Sequence, residues 1–120
     1  MTTVALNRTL IKSIYGDQVE SASELFILFV KDFPKIRHDL LLAFQSGQPE
    51  NLIQLLHYHA PSFTYMGLPV LTFECQKLEE KCTQQKKLAP LESDFFNLLD
   101  LIEKGKEEVV SNFGFLKIAV

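Results

Sequence analysis

Apolar residues along the chain recur at intervals of three and four, the period of an α-helix with one buried face. Leu6, Leu10, Ile11 and Ile14 predict a short first helix over Val4–Tyr15. A second begins after Ser21-Ala22-Ser23-Glu24, a possible capping box, and is apolar throughout Leu25–Val30, which predicts burial on several sides. Pro34 removes one backbone donor, so this helix should bend or restart there before running on through Ile36, Leu40, Leu41 and Phe44. A third spans Pro49–Met66, a fourth Pro69–Gln85, and a fifth Leu91–Val110 with a stripe of Phe95, Leu98, Leu99 and Ile102. Gly16, Gly47 and Gly67 stand at helix ends, and Pro34, Pro49, Pro69 and Pro90 near starts or bends. No alternating stretch bounded by a hairpin turn is present. Short connections favour antiparallel neighbours. The expected fold is therefore all-α: an antiparallel up-down four-helix bundle with an additional short N-terminal helix.

Composition narrows this further. A chain of 120 residues, 47% hydrophobic and 22% charged, is expected to form one domain over residues 1–120. A net charge of −3 argues against nucleic-acid binding. The longest unbroken apolar run, Leu25–Val30, is too short to span a bilayer. The first ten residues do not read as a signal peptide, so a cytoplasmic protein without membrane attachment is expected. Cys75 and Cys82, seven apart on a helix, would have Cα atoms ~10 Å apart, too far for a disulfide. They share a stripe with Leu68, Leu71 and Leu78 and are expected as reduced core residues. The apolar tail from Asn112 to Val120 could cap the bundle, pair with a partner, or continue into a longer segment.

The third helix carries the candidate chemistry. Leu52, Leu55, Leu56, His59, Phe63 and Met66 fall within an arc of roughly 100° and form its core stripe. His57 lies about 150° from the centre of that arc and should face outward. Its neighbours on that face are Ile53, Ala60, Pro61 and Thr64, small or apolar where a solvated helix carries Lys and Glu. An exposed imidazole ringed by short side chains suits docking and group transfer. His59 is expected to be partly buried and satisfied by a hydrogen bond. Residues two apart on a helix diverge by ~160°, so His57 and His59 do not make a metal pair. His38 reads as solvated.

These residues resemble the histidine-containing phosphotransfer (HPt) domains of two-component phosphorelays. That family's signature is a His, Lys-Gly three and four residues on, a Ser, and a second Gly ten residues after the His. His57, Ser62 and Gly67 match by position, and Cys75-Gln76-Lys77-Leu78-Glu79 is similar to the run on the family's next helix. The likeness covers roughly Leu6–Val110. Ala60 stands at the family's Lys and Pro61 at its first Gly. The resemblance implies a monomeric phosphocarrier with His57 as phosphoryl acceptor and no independent catalytic activity. Its partners would be a response-regulator receiver domain, a hybrid histidine kinase, or both. No cofactor would be bound by this chain, the Mg²⁺ being held by the receiver. A second reading keeps Ile53, Ala60, Pro61 and Thr64 as a docking face without phosphorylation, regulating by occupancy.

Overall fold

The computed structural model describes residues 2–18 and 22–116. It is helical: α1 (Arg8–Tyr15), α2 (Ser23–Gln45), α3 (Pro49–Tyr65), α4 (Pro69–Thr83) and α5 (Glu92–Ser111). No strand occurs among the described residues. Short 3₁₀ turns follow α1 and precede α5. Helix α3 packs between α2 and α4, and α5 closes on α2 and α4 from the other side.

Local chemistry sets the ends. The Asn7 side chain accepts from Leu10 N (2.9 Å) and caps α1, so the helix starts later than the apolar spacing alone indicates. Val4 precedes the helix but is still buried. Pro49 and Pro69 open α3 and α4, where a missing N–H costs nothing. Pro34 lies inside α2 without ending it. The capping-box expectation rests on Ser21, which lies outside the described residues; Ala22 occupies the N-cap position and makes no side-chain cap bond.

The apolar run that opens α2 is a correction. Leu25 and Leu28 are 40% and 54% exposed, and only Phe26 within the run is fully buried. Phe26 packs edge-on against Tyr15 and Phe29. The core proper lies lower, where Phe33, Leu40, Leu52, Leu56, Phe63, Leu71, Phe95 and Ile102 meet. Cys75 and Cys82 are buried free thiols. Burial, reinforced by Glu74 and Glu79, pushes Cys75 up to about 12; burial and Glu79 push Cys82 up to about 11. Both are therefore inert thiols at neutral pH.

Part of the tail packs back on the fold. Leu116 is fully buried, and Phe115 lies under the Arg8 guanidinium, 4.7 Å from the ring centroid. Arg8 also donates twice to Asn112 Oδ1, at 2.8 and 3.0 Å. The described part of the tail thus closes one end of the helices against α1.

The α3–α4 turn fixes that end. Gly67, at φ +79°, donates to Thr64 O (2.9 Å), and Leu68 N donates to Phe63 O (2.8 Å), which together make a Schellman motif. Gly67 O accepts from Asn7 N (2.8 Å), tying the N-terminal segment to the turn. A Cβ at Gly67 would stand 2.6 and 2.7 Å from Ile11 Cδ1 and Cγ1, and Ile11 is itself fully buried. Gly47 has a similar φ, +73°, but open space where its Cβ would go. Gly67→Ala should therefore cost about 2–4 kcal/mol, left-handed strain plus overpacking, and Gly47→Ala only about 1–2 kcal/mol, strain alone. Urea denaturation of the two variants measures the difference.

Candidate functional site

His57 sits mid-way along α3 with its side chain 83% exposed. The ring is not free to turn: Nδ1 lies 3.1 Å from Glu79 Oε1 on α4. An ionised carboxylate only accepts, so Nδ1 carries the hydrogen and the lone pair is left on Nε2. Glu79 is 23% exposed, so the ring is anchored at its half-covered edge and open at the other.

Glu79 was visible in the sequence as the last residue of the Cys75–Glu79 run, but not as the partner of His57. The signal lies in the turn. His57 precedes Gly67 by ten residues and Glu79 follows it by twelve. Two antiparallel helices joined by a tight turn bring such positions level. Thr64 and Thr72 face one another by the same logic, with hydroxyls 2.8 Å apart.

The face around His57 differs from the outward ring expected of it. Pro61 is exposed and Ile53 half-buried. Ala60 is only 4% exposed, and its carbonyl accepts from Thr72 Oγ1 at 2.7 Å. Thr64 is half-buried, its hydroxyl directed at Thr72. Ala60 and Thr64 therefore belong to the α3–α4 seam rather than to an open docking face. The core stripe locates the side of α3 that meets the interior, but α4 covers a second side. Ala60 is the small residue that lets α4 come close. Leu55, placed on the stripe, is also only half-buried.

Lys77, the nearest cation in sequence on α4, does not reach His57. It pairs with Glu74 at 3.2 Å and lies over the Phe73 ring. Two residues from Glu79 on the same helix, it points roughly 160° away. The group beside the imidazole is thus a carboxylate, and neither Ala60, at the family's Lys position, nor Lys77 brings a cation to it.

His59 faces the other way, 9% exposed, in the seam between α2 and α3. Its burial is as expected, but its satisfaction is not: among the described residues Nε2 has no hydrogen-bond partner. Desolvation holds its pKa below the ordinary value, Lys35 adds to this, and Asp39 and Asp32 oppose it. Among the described residues no group of three His, Cys, Asp or Glu side chains could hold a metal ion.

Comparison with known proteins bears on this arrangement. No family model matches the sequence. No curated protein matches it. Among solved structures, the chain is similar to the HPT domain of an Hpt sensor hybrid histidine kinase from Shewanella, at 20% identity and a TM-score of 0.75. The match covers 92% of this chain and 94% of that one. The chain has the HPt fold. At that identity the likeness speaks for the fold; the site must be argued from its own residues.

Two outcomes follow from the geometry. Ala60→Glu should destabilise the protein by about 2–4 kcal/mol, because it forces a carboxylate into the α3–α4 seam, whereas Pro61→Glu, on the exposed side and restoring a backbone N–H inside α3, should not destabilise it. Urea midpoints of the two variants read this directly.

The second concerns acid. The unfolded chain protonates His59 near pH 6.5 and the folded chain only at lower pH, so the stability that neutral His59 confers is complete above about 6.5 and is lost as pH falls through the folded value. His59→Gln should flatten that part of a stability–pH curve measured between pH 7 and 5.

Proposed function

We propose that this protein is a phosphorelay intermediate that accepts a phosphoryl group on His57 and passes it to or from receiver-domain aspartates. The observation that carries the reading is the exposed His57 ring with Nδ1 held by Glu79 and Nε2 facing solvent. In the accepting step the Nε2 lone pair attacks phosphorus as the P–O bond to the aspartate breaks, its electrons leaving on the carboxylate. The ring then bears positive charge, with the proton still on Nδ1, and the Glu79 carboxylate opposes that charge. No base is needed, because no proton leaves the nucleophile. The protein's part is positioning; Mg²⁺ and further stabilisation of the transferred group belong to the receiver.

In this reading α2–α5 form an antiparallel up-down four-helix bundle, α1 is an accessory helix, and residues 1–120 act as one monomeric domain in the cytoplasm. The partners are a receiver domain, a hybrid histidine kinase, or both. Docking centres on His57, Pro61 and Ile53, with Ala60 and Thr64 shaping the seam beneath. The protein is a carrier without turnover of its own and binds no cofactor.

A second reading rests on the charge beside the ring. With Ala60 at the family's cation position and Lys77 paired to Glu74, a phosphoryl group on His57 would lie near Glu79 without a compensating lysine from those positions. This favours a module that docks a receiver without taking its phosphoryl group.

Incubation with a phosphorylated receiver and Mg²⁺ separates the two. Phosphotransfer predicts an acid-labile, base-stable phosphoprotein, abolished in His57→Gln and retained in His59→Gln. Tight receiver binding with no label in the wild type would leave only the docking module.

A further inference from the structure

A phosphoryl group on His57 would sit on a helix with no cation of its own, since α3 contains neither lysine nor arginine. The lysines of α4 on either side of Glu79 are committed elsewhere. Lys77 pairs with Glu74 at 3.2 Å, and Lys81 reaches Asp94 on α5 at 3.2 Å. Among the described residues, the charged side chain bonded to the ring is Glu79, with Oε1 3.1 Å from Nδ1. The charge set around this imidazole therefore does little for a phosphoryl group and much for a ring cation.

That difference bears on the lifetime of the phosphorylated state. The bond from Nε2 to phosphorus breaks readily when the ring leaves as neutral imidazole. This requires Nδ1 to keep its hydrogen while the phosphoryl group is attached, and the ring is then a cation. Without that hydrogen the leaving group is an imidazolate, a far stronger base, and the bond persists. A carboxylate at hydrogen-bond distance from Nδ1 favours the protonated ring.

We infer that Glu79 holds phosphorylated His57 in its protonated, labile form, so that this protein passes a phosphoryl group on rather than storing it. The inference rests on His57 being the acceptor and adds the fate of the group it carries. In the donating step an oxygen of a receiver aspartate, or of water, attacks phosphorus. The P–N bond breaks and its electron pair returns to Nε2. The hydrogen stays on Nδ1 against Glu79, and the ring ends neutral. Where water is the acceptor, its surplus proton passes to solvent. Glu79 acts through the ring and does not touch phosphorus, so it is a positioning residue.

Phosphoramidate phosphorylates exposed histidines directly, so the lifetime can be read apart from any receiver. The full chain is labelled, the reagent removed, and loss of the phosphoryl group from His57 Nε2 followed by NMR at one neutral pH. Glu79→Gln keeps an acceptor oxygen for Nδ1–H and removes only the charge. Its phosphohistidine should last about two- to fivefold longer than that of the wild type, the range of one partly exposed charge pair. Glu79→Asp keeps the charge on a shorter arm and should fall between the two. A purely structural Glu79 would leave the lifetime unchanged or shorten it on substitution. The inference is overturned if Glu79→Gln does not lengthen the lifetime, if the phosphoryl group is found on Nδ1, or if phosphoramidate leaves wild-type His57 unlabelled. Failure of phosphorylated receivers to label the wild type would instead remove the relay reading, and the lifetimes measured with phosphoramidate do not depend on it.

Discussion

The register between α3 and α4 governs how the exposed His57 ring is held and what surrounds it. It originates at Gly67, whose left-handed backbone allows the two Schellman bonds and whose missing side chain leaves room for Ile11. From that turn the helices run back along one another. Thr64 meets Thr72, Ala60 lies against α4, and His57 comes level with Glu79. A slip of one residue on either helix would rotate its positions by ~100° and take Glu79 away from the ring. The orientation of an exposed side chain is thus fixed by a buried glycine ten residues away.

The seam is tied by a directed chain of hydroxyls. Thr72 has one hydroxyl hydrogen, and it goes to the carbonyl of Ala60. The Thr64–Thr72 contact is then made by the Thr64 hydrogen, with Thr72 oxygen as acceptor. This chain lies where α3 loses a backbone donor, because Pro61 has no N–H to offer the His57 carbonyl. A side-chain link from α4 at the adjacent residue holds α3 to its neighbour close to that gap. The helix continues through Pro61 to Tyr65.

Much of this was legible before any coordinates. Helices α2 to α5 lie where the apolar period and the prolines put them, and Leu52, Leu56, His59, Phe63 and Met66 are buried as the stripe required. Exposure of His57 followed from the same angular argument. The misplaced surfaces share one physical cause: periodicity identifies a side that is buried but not how many neighbours a helix has. Ala60 and Thr64 are small and fit a solvent face or a close helix contact equally well. The run from Leu25 to Val30 failed in the opposite sense, since apolar residues all round a helix do not guarantee a neighbour on every side. Glu79 was missed because a contact across a turn depends on register, and register was set by Gly67 together with its packing against Ile11.

His57 and His59 show how a two-residue step divides one chemistry into two. On the α4 side the imidazole is in water, and a carboxylate fixes which nitrogen carries hydrogen. On the α2 side the same group is buried, and desolvation holds its pKa below the ordinary value, with Nε2 lacking a partner among the described residues. Exchanging the two environments would abolish both properties. An exposed ring without Glu79 would sample both tautomers, and a buried ring beside a carboxylate would be drawn toward protonation. The positions are not interchangeable, because α4 brings Glu79 into direct contact with one side of α3 while α2 covers the other, with Phe29 and Ile36 beside Asp32, Lys35 and Asp39. Helix α3 therefore works as a partition between an exposed imidazole and a buried one, and the packing order α2–α3–α4 maintains the difference.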